Sequence, residues 1–91
     1  MKHHNWNKDK NEKLKLERNI SFEDIVFYIN NGHLIEIIDH PNQEKYNGQK
    51  IYIIEKDNYI YMCPFVENDH EVFLKTIIPS RKATKEYLGD K

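Results

Sequence analysis

Residues 20–38, ISFEDIVFYINNGHLIEII, decide the fold, because the period of the hydrophobic pattern changes within them. Phe22, Ile25, Val26 and Ile29 stand at i, i+3, i+4 and i+7, the stripe of a core-facing helix. Ser21 is placed to cap that helix, with Asp24 completing a capping box in which Asp replaces Glu, and Ile20 and Ile25 have the spacing of a hydrophobic staple. Glu23 and Asp24 set negative charge against the positive helix end. Asn30-Asn31-Gly32 stops the helix, and Leu34–Ile38 follows as a short apolar run of strand length.

Toward the N-terminus, Lys8–Arg18 reads as a second, more exposed helix whose only apolar residues are Leu14 and Leu16, with Asn19 suited to a left-handed position at its end. Toward the C-terminus, His40 to Lys50 carries Pro41, Asn47 and Gly48 and reads as a loop. Lys50–Glu55 and Tyr59–Val66 flank the polar turn Lys56-Asp57-Asn58 and predict a hairpin. Pro64 cannot donate a ladder hydrogen bond and marks a bulge or an edge. Val72–Ile78 predicts a last strand, after which Pro79-Ser80 opens a helix to about Leu88. Helices, then strands, then a helix predict an α+β fold: an antiparallel meander with two N-terminal helices and one C-terminal helix packed on it. Residues 1–91 make one domain, with residues 1–5 expected to be mobile and Trp6 expected to anchor the segment that follows.

Composition narrows the class. Of the 91 residues, 38% are apolar and 32% charged. Ile, Leu, Val and Phe number 24, above the roughly 20% below which chains tend to stay disordered. No apolar run approaches the ~18 residues of a membrane helix, so no membrane partner is expected. MKHHNWNKDK lacks an apolar segment of the secretory kind, and the one cysteine, Cys63, gives no disulfide; a cytoplasmic protein is the expectation. His3, His4, His33, His40 and His70 have no metal-ligand spacing, and Gly32, Gly48 and Gly89 sit singly at turns rather than in a phosphate loop. Neither a metal nor a small-molecule cofactor is expected.

The net charge of −1 hides a pattern. Residues 1–18 sum to +3, 19–44 to −5 with no Lys or Arg, 45–71 to −2, and 72–91 to +3. Two basic ends around an acidic centre allow an RNA-binding surface if the first and last helices share a face. In Lys75-Thr-Ile-Ile-Pro-Ser-Arg-Lys-Ala-Thr-Lys85, Arg81 and Lys82 fall in the first turn of the last helix, where cations oppose the dipole. Such a helix start is either a solvated basic tail or an anion site. The polar loop holding Asp39, His40, Gln43, Glu44, Lys45 and Tyr46 can supply an acid or base. Tyr52, Tyr59 and Tyr61 alternate on facing strands, as cross-strand packing or as a surface for stacking bases.

Three segments carry a resemblance: Trp6-Asn7 with Lys10-Asn11, Ile20-Ser21-Phe22-Glu23, and Ile77-Ile78-Pro79-Ser80-Arg81-Lys82-Ala83-Thr84. Together, in this order and over nearly the whole chain, they resemble the BrnT family of ribonuclease toxins, relatives of RelE-type toxins of bacterial type II toxin–antitoxin systems. The chain departs from that pattern in Asn7 for Asp, Ser80 for Ala, and Glu17-Arg18-Asn19 where the family has Lys-His-Gly. A role that the family gives the Lys-His pair therefore has no residue to fall on here. The resemblance implies a RelE-like sheet with helices packed on it, RNA cleavage without a metal, and neutralisation by a cognate DNA-binding antitoxin in a protein complex. Cleavage of that kind needs the 2′-OH deprotonated, the pentavalent phosphate stabilised and the 5′-oxygen protonated. Arg81 and Lys82, assisted by Lys75, are the candidates for the phosphate. Glu17, Arg18, His40 and Lys45 are the candidates for proton transfer, and Lys8, Lys10, Lys15, Lys45 and Lys85 for RNA binding. The alternatives are a non-catalytic module that binds an antitoxin or nucleic acid, and a structural interaction protein.

Overall fold

The computed structural model describes residues 2–89. Its elements are β1 (His3–Trp6), α1 (Lys8–Arg18), α2 (Phe22–Asn30), β2 (Leu34–Asp39), β3 (Lys50–Lys56), β4 (Tyr59–Glu67), β5 (Glu71–Leu74), β6 (Ile78–Pro79) and α3 (Arg81–Leu88). The expected α+β fold is present. One mixed sheet has the order β1-β5-β4-β3-β2, with β6 continuing beside β4 beyond the end of β5.

The junction that the sequence marks most strongly forms as its residues dictate. The Ser21 hydroxyl accepts from the Asp24 N–H, and the Asp24 carboxylate accepts from the Ser21 N–H. Ile20 and Ile25 are both buried in the same core. Asn19 ends α1 at φ 54°, ψ 37°, a left-handed conformation that Asn tolerates. Asn11, buried on α1, bridges the two helices: its Oδ1 accepts the Phe22 N–H at 2.8 Å and its Nδ2 donates to Glu23 at 2.7 Å.

Period-two alternation sorts the sheet into two faces. Tyr52, Ile54, Cys63, Phe65, Val72 and Leu74 pack under Leu14, Phe22 and Ile25 of α1 and α2. Ile51, Ile53 and Ile60 pack on the other side against Ala83, with Tyr87 and Leu88 at the margin. The first and last helices therefore lie on opposite faces, and the expectation that they share one basic surface is corrected. The reason is register: the apolar residues of β3 and β4 are continuous rather than alternating, so both faces demand cover.

Two further strand expectations change. His3–Trp6, read as a loose end before an anchor, is a strand parallel to β5, in register from His3↔Glu71 to Trp6↔Leu74. Trp6 stacks on Phe22 at 5.7 Å, as its anchoring role requires. The last strand, read as one run over 72–78, is broken into β5 and β6. β5 pairs with β4 from Phe65↔Leu74 outward, whereas β6 pairs through Met62↔Ile78, one residue out of step. The break falls opposite Pro64, whose carbonyl accepts the Lys75 N–H at 2.8 Å but which has no N–H to return. Pro64 is thus the expected bulge, and the bulge residues lie on the neighbouring strand.

Candidate functional site

That bulge forms one wall of a cleft of about 330 Å³ lined by His40, Tyr46, Gln49, Pro64, Lys75, Thr76 and Ile78. By alternation from Ile60 and Met62, Pro64 points to the α3 side of the sheet, so the cleft lies on that face, beyond the area that α3 covers. The opposite wall is the loop between β2 and β3.

This loop is held by its own polar groups. The Gln43 amide nitrogen donates to the carbonyls of His40 and Gln49, and its oxygen accepts the Gly48 N–H. The His40 N–H closes the loop onto Gln49 at 3.0 Å. Asn42 receives the Lys45 N–H on its side chain and donates its own N–H to His40 Nδ1 at 3.1 Å. A backbone N–H can only donate, so Nδ1 is the acceptor and Nε2 carries the proton in the neutral ring. Tyr46 packs on His40 with ring centroids 4.3 Å apart, and Lys45 lies 5.3 Å from the Tyr46 ring centre. The two rings hold each other in place, and the ammonium adds positive charge beside them.

Among the described residues, the cleft lining holds one full cation, Lys75, no carboxylate, and donors from His40, Tyr46, Gln49 and Thr76. Lys75 is exposed, with its Nζ 5.5 Å from the Phe73 ring centre. An apolar floor of Pro64 and Ile78 under donors of one sign is suited to an anionic group attached to a larger molecule.

The structure brings together two of the sequence-derived candidates, His40 and Lys75, from segments 35 residues apart in the chain. Arg81 and Lys82 are exposed on the first turn of α3, capped by Ser80 through the Ala83 N–H. They do not line the cleft, although Arg81 is three residues from Ile78, at most about 11 Å of chain. Arg18 donates from Nη1 to the Ile77 carbonyl, tying the end of α1 to the wall that holds Thr76 and Ile78. Its place is structural support for the cleft rather than its lining. Glu17 is exposed on α1, across the sheet from the cleft.

Of the expected RNA-binding lysines, Lys45 flanks the cleft and Lys85 is exposed on α3. Lys8, Lys10 and Lys15 belong to α1 on the other face; Lys15 pairs with Glu12 at 3.0 Å, and that hydrogen bond holds its ammonium above the usual range. Tyr52 is 7% exposed and stacked on Phe65 at 4.0 Å, so it is core and offers bases no surface. Tyr59 and Tyr61 pack edge to face at 5.8 Å. Among the described residues, no three His, Cys, Asp or Glu side chains are grouped to hold a metal ion.

Gln49 and Thr76 were not legible as site residues. The one available signal was Pro64, whose missing N–H leaves the Lys75 carbonyl without its return bond in the ladder. Comparison of the chain with protein-family models, with curated proteins and with solved structures finds no match.

Proposed function

We propose that the chain is the toxin of a type II toxin–antitoxin system, a cytoplasmic, metal-independent endoribonuclease neutralised by a cognate DNA-binding antitoxin. The observation that carries the reading is the cleft in which Lys75 and His40 converge with Tyr46, Gln49 and Thr76 and, among the described residues, no carboxylate. The three segments that resemble BrnT toxins support it. In such a cleft an RNA phosphodiester sits with its non-bridging oxygens toward Lys75 and the neutral donors. The O2′–P bond forms as the P–O5′ bond breaks, the O2′ proton passing to a base and O5′ taking up a proton. Lys75 stabilises the added negative charge of the pentavalent phosphate, and His40 Nε2–H and the Thr76 and Tyr46 hydroxyls donate to its oxygens. Arg81 and Lys82, at the start of α3, hold the flanking backbone.

A second reading, a binding module without cleavage, is favoured by one detail. The Asn42 N–H occupies His40 Nδ1, so the cleft holds donors but no base with a free lone pair on an imidazole. One experiment separates the two. Purified protein is incubated with a labelled single-stranded RNA in EDTA, alongside Lys75→Ala and Arg81→Ala. Cleavage in EDTA that falls roughly 100-fold in Lys75→Ala, with retained circular dichroism, is expected. RNA retention without cleavage establishes the binding module. Cleavage lost in Arg81→Ala and undiminished in Lys75→Ala moves the site to the start of α3.

A further inference from the structure

The strand order ends in β1 on one side and β2 on the other, and the two differ in kind. β1 is short and polar, with His3, Asn5 and a neighbouring Lys2–Glu67 ion pair at 2.9 Å. β2 is six residues long, and Ile35 and Ile37 on it are 43% and 49% exposed. Among the described residues, β2 pairs only with β3. The His40 N–H points to β3, since it donates to Gln49. Alternation then sends the N–H and C=O groups of Ile37 and Asp39 outward, where no strand meets them. Edges of this length are ordinarily blunted with lysine or proline. β2 carries neither, and the bulge between Leu34 and Glu36 leaves Glu36–Asp39 in regular register; its charges are Glu36 and Asp39, within the stretch 19–44 that holds five acids and no Lys or Arg.

We propose that the outer edge of β2 is a docking site for an extended segment of a second protein in which basic and apolar residues alternate. Such a segment adds as a strand beside Leu34–Asp39. Its backbone takes up the outward groups of Ile37 and Asp39, its apolar row lies on the α1–α2 side beside Ile37, and its cations lie on the α3 side beside Glu36. Sign of charge selects the occupant: a basic strand is attracted, an acidic one repelled. The inference does not rest on RNA cleavage, because the edge contributes no group to the cleft lining.

The test uses the whole chain and a labelled, end-blocked peptide of eight residues alternating Lys and Val, read by fluorescence anisotropy and by amide chemical shifts. Binding with shifts centred on Ile37 and Asp39 is expected. Two counterparts are N-methylated, one at every Lys and one at every Val. Successive residues of a strand turn their N–H groups to opposite edges, so one counterpart loses binding tenfold or more and the other does not. A peptide alternating Glu and Val binds at least tenfold more weakly. Lys75→Ala abolishes neither the binding nor its pattern, which keeps failure of this proposal apart from failure of the cleavage reading. Equal binding by both N-methylated peptides, shifts that avoid β2, or no binding overturns it. So does a dimer of the chain alone in sedimentation that Ile37→Lys dissociates, since that assigns the edge to a second copy.

Discussion

Replacing Asn11 with alanine should unfold this protein more readily than any other single change on its two N-terminal helices outside the apolar core. Phe22 opens α2, and its N–H is one of the four at a helix start with no acceptor inside the helix. The Ser21 hydroxyl accepts the Asp24 N–H and its carbonyl the Ile25 N–H, so Asn11 Oδ1 is what satisfies Phe22, in a buried position. Asn11→Ala strands that N–H, at a cost of about 1–3 kcal/mol, and removes the bond to Glu23 as well. Glu23 is exposed, so the second loss is screened, and a total of about 2–4 kcal/mol follows. Against a stability of order 5–15 kcal/mol, melting should fall by about 10–20 °C. Urea and thermal denaturation followed by circular dichroism measure both. The same bond holds the Glu23 carboxyl below its ordinary value of 4.5, the Asn11 hydrogen bond being the largest cause. A depressed folded value contributes stability that is present above 4.5 and is lost as pH falls through the folded value. Asn11→Ala should therefore also flatten the acid limb of the stability profile. Asn11→Asp keeps the acceptor for Phe22 but sets a carboxylate against Glu23, so it should be destabilised at neutral pH and recover as the pair takes up a proton. An alanine variant within about 0.5 kcal/mol of the parent at neutral pH would refute the reasoning, because the orphaned N–H would then cost nothing.

Two further outcomes are expected. Burial pushes the Cys63 thiol up to about 12, so the native protein should resist iodoacetamide at mildly alkaline pH and react fully once unfolded in urea; modification in native buffer at the unfolded rate would contradict the core placement. Asp57 and Asn58 both have positive φ, 53° and 64°, in the two-residue turn between β3 and β4, and Asn58→Gly should stabilise the fold by about 0.5–1 kcal/mol in urea melts, because Gly adopts the second position of such a turn without strain.

The helices were legible because their determinants are local. Ser21, Asp24, Ile20 and Ile25 lie within six residues, and the capping box and staple they form involve no distant partner. The hairpin was equally legible, from Asp57 and Asn58 between two apolar runs. β1 was not, because His3-His4-Asn5-Trp6 has no alternating pattern, and its strand exists only by virtue of β5, nearly 70 residues away. The division of the last strand was half legible: Pro64 announced a bulge, but the residues displaced lie on the partner strand, where Lys75-Thr76-Ile77 looks regular. The site shared that fate. His40 and Lys75 were both named from their chemistry, yet only the pairing of β3, β4 and β5 sets the loop at 40–49 opposite the bulge at 75–77. Asn11 escaped notice as a structural residue because a polar side chain in the middle of a basic helix reads as solvated.

The cleft follows from how unevenly the two faces are covered. The face beneath α1 and α2 has two helices, of eleven and nine residues, and its core runs from Ile54 on β3 to Leu74 on β5. The other face has α3 alone, eight residues or about 12 Å long, over a sheet whose five principal strands span about 19 Å from first axis to last. α3 is fixed at its N-terminus by Thr84, which accepts the Ile60 N–H and donates to the Ser80 carbonyl, and at its C-terminus by the Tyr87 hydroxyl on Glu36. So pinned between β4 and β2, it covers Ile51, Ile53 and Ile60 and cannot also reach Pro64. The uncovered ground is enclosed instead by polar loop and bulge, which is why its lining consists of donors over a small apolar floor. Lys75 and His40 are thus left facing the same open space.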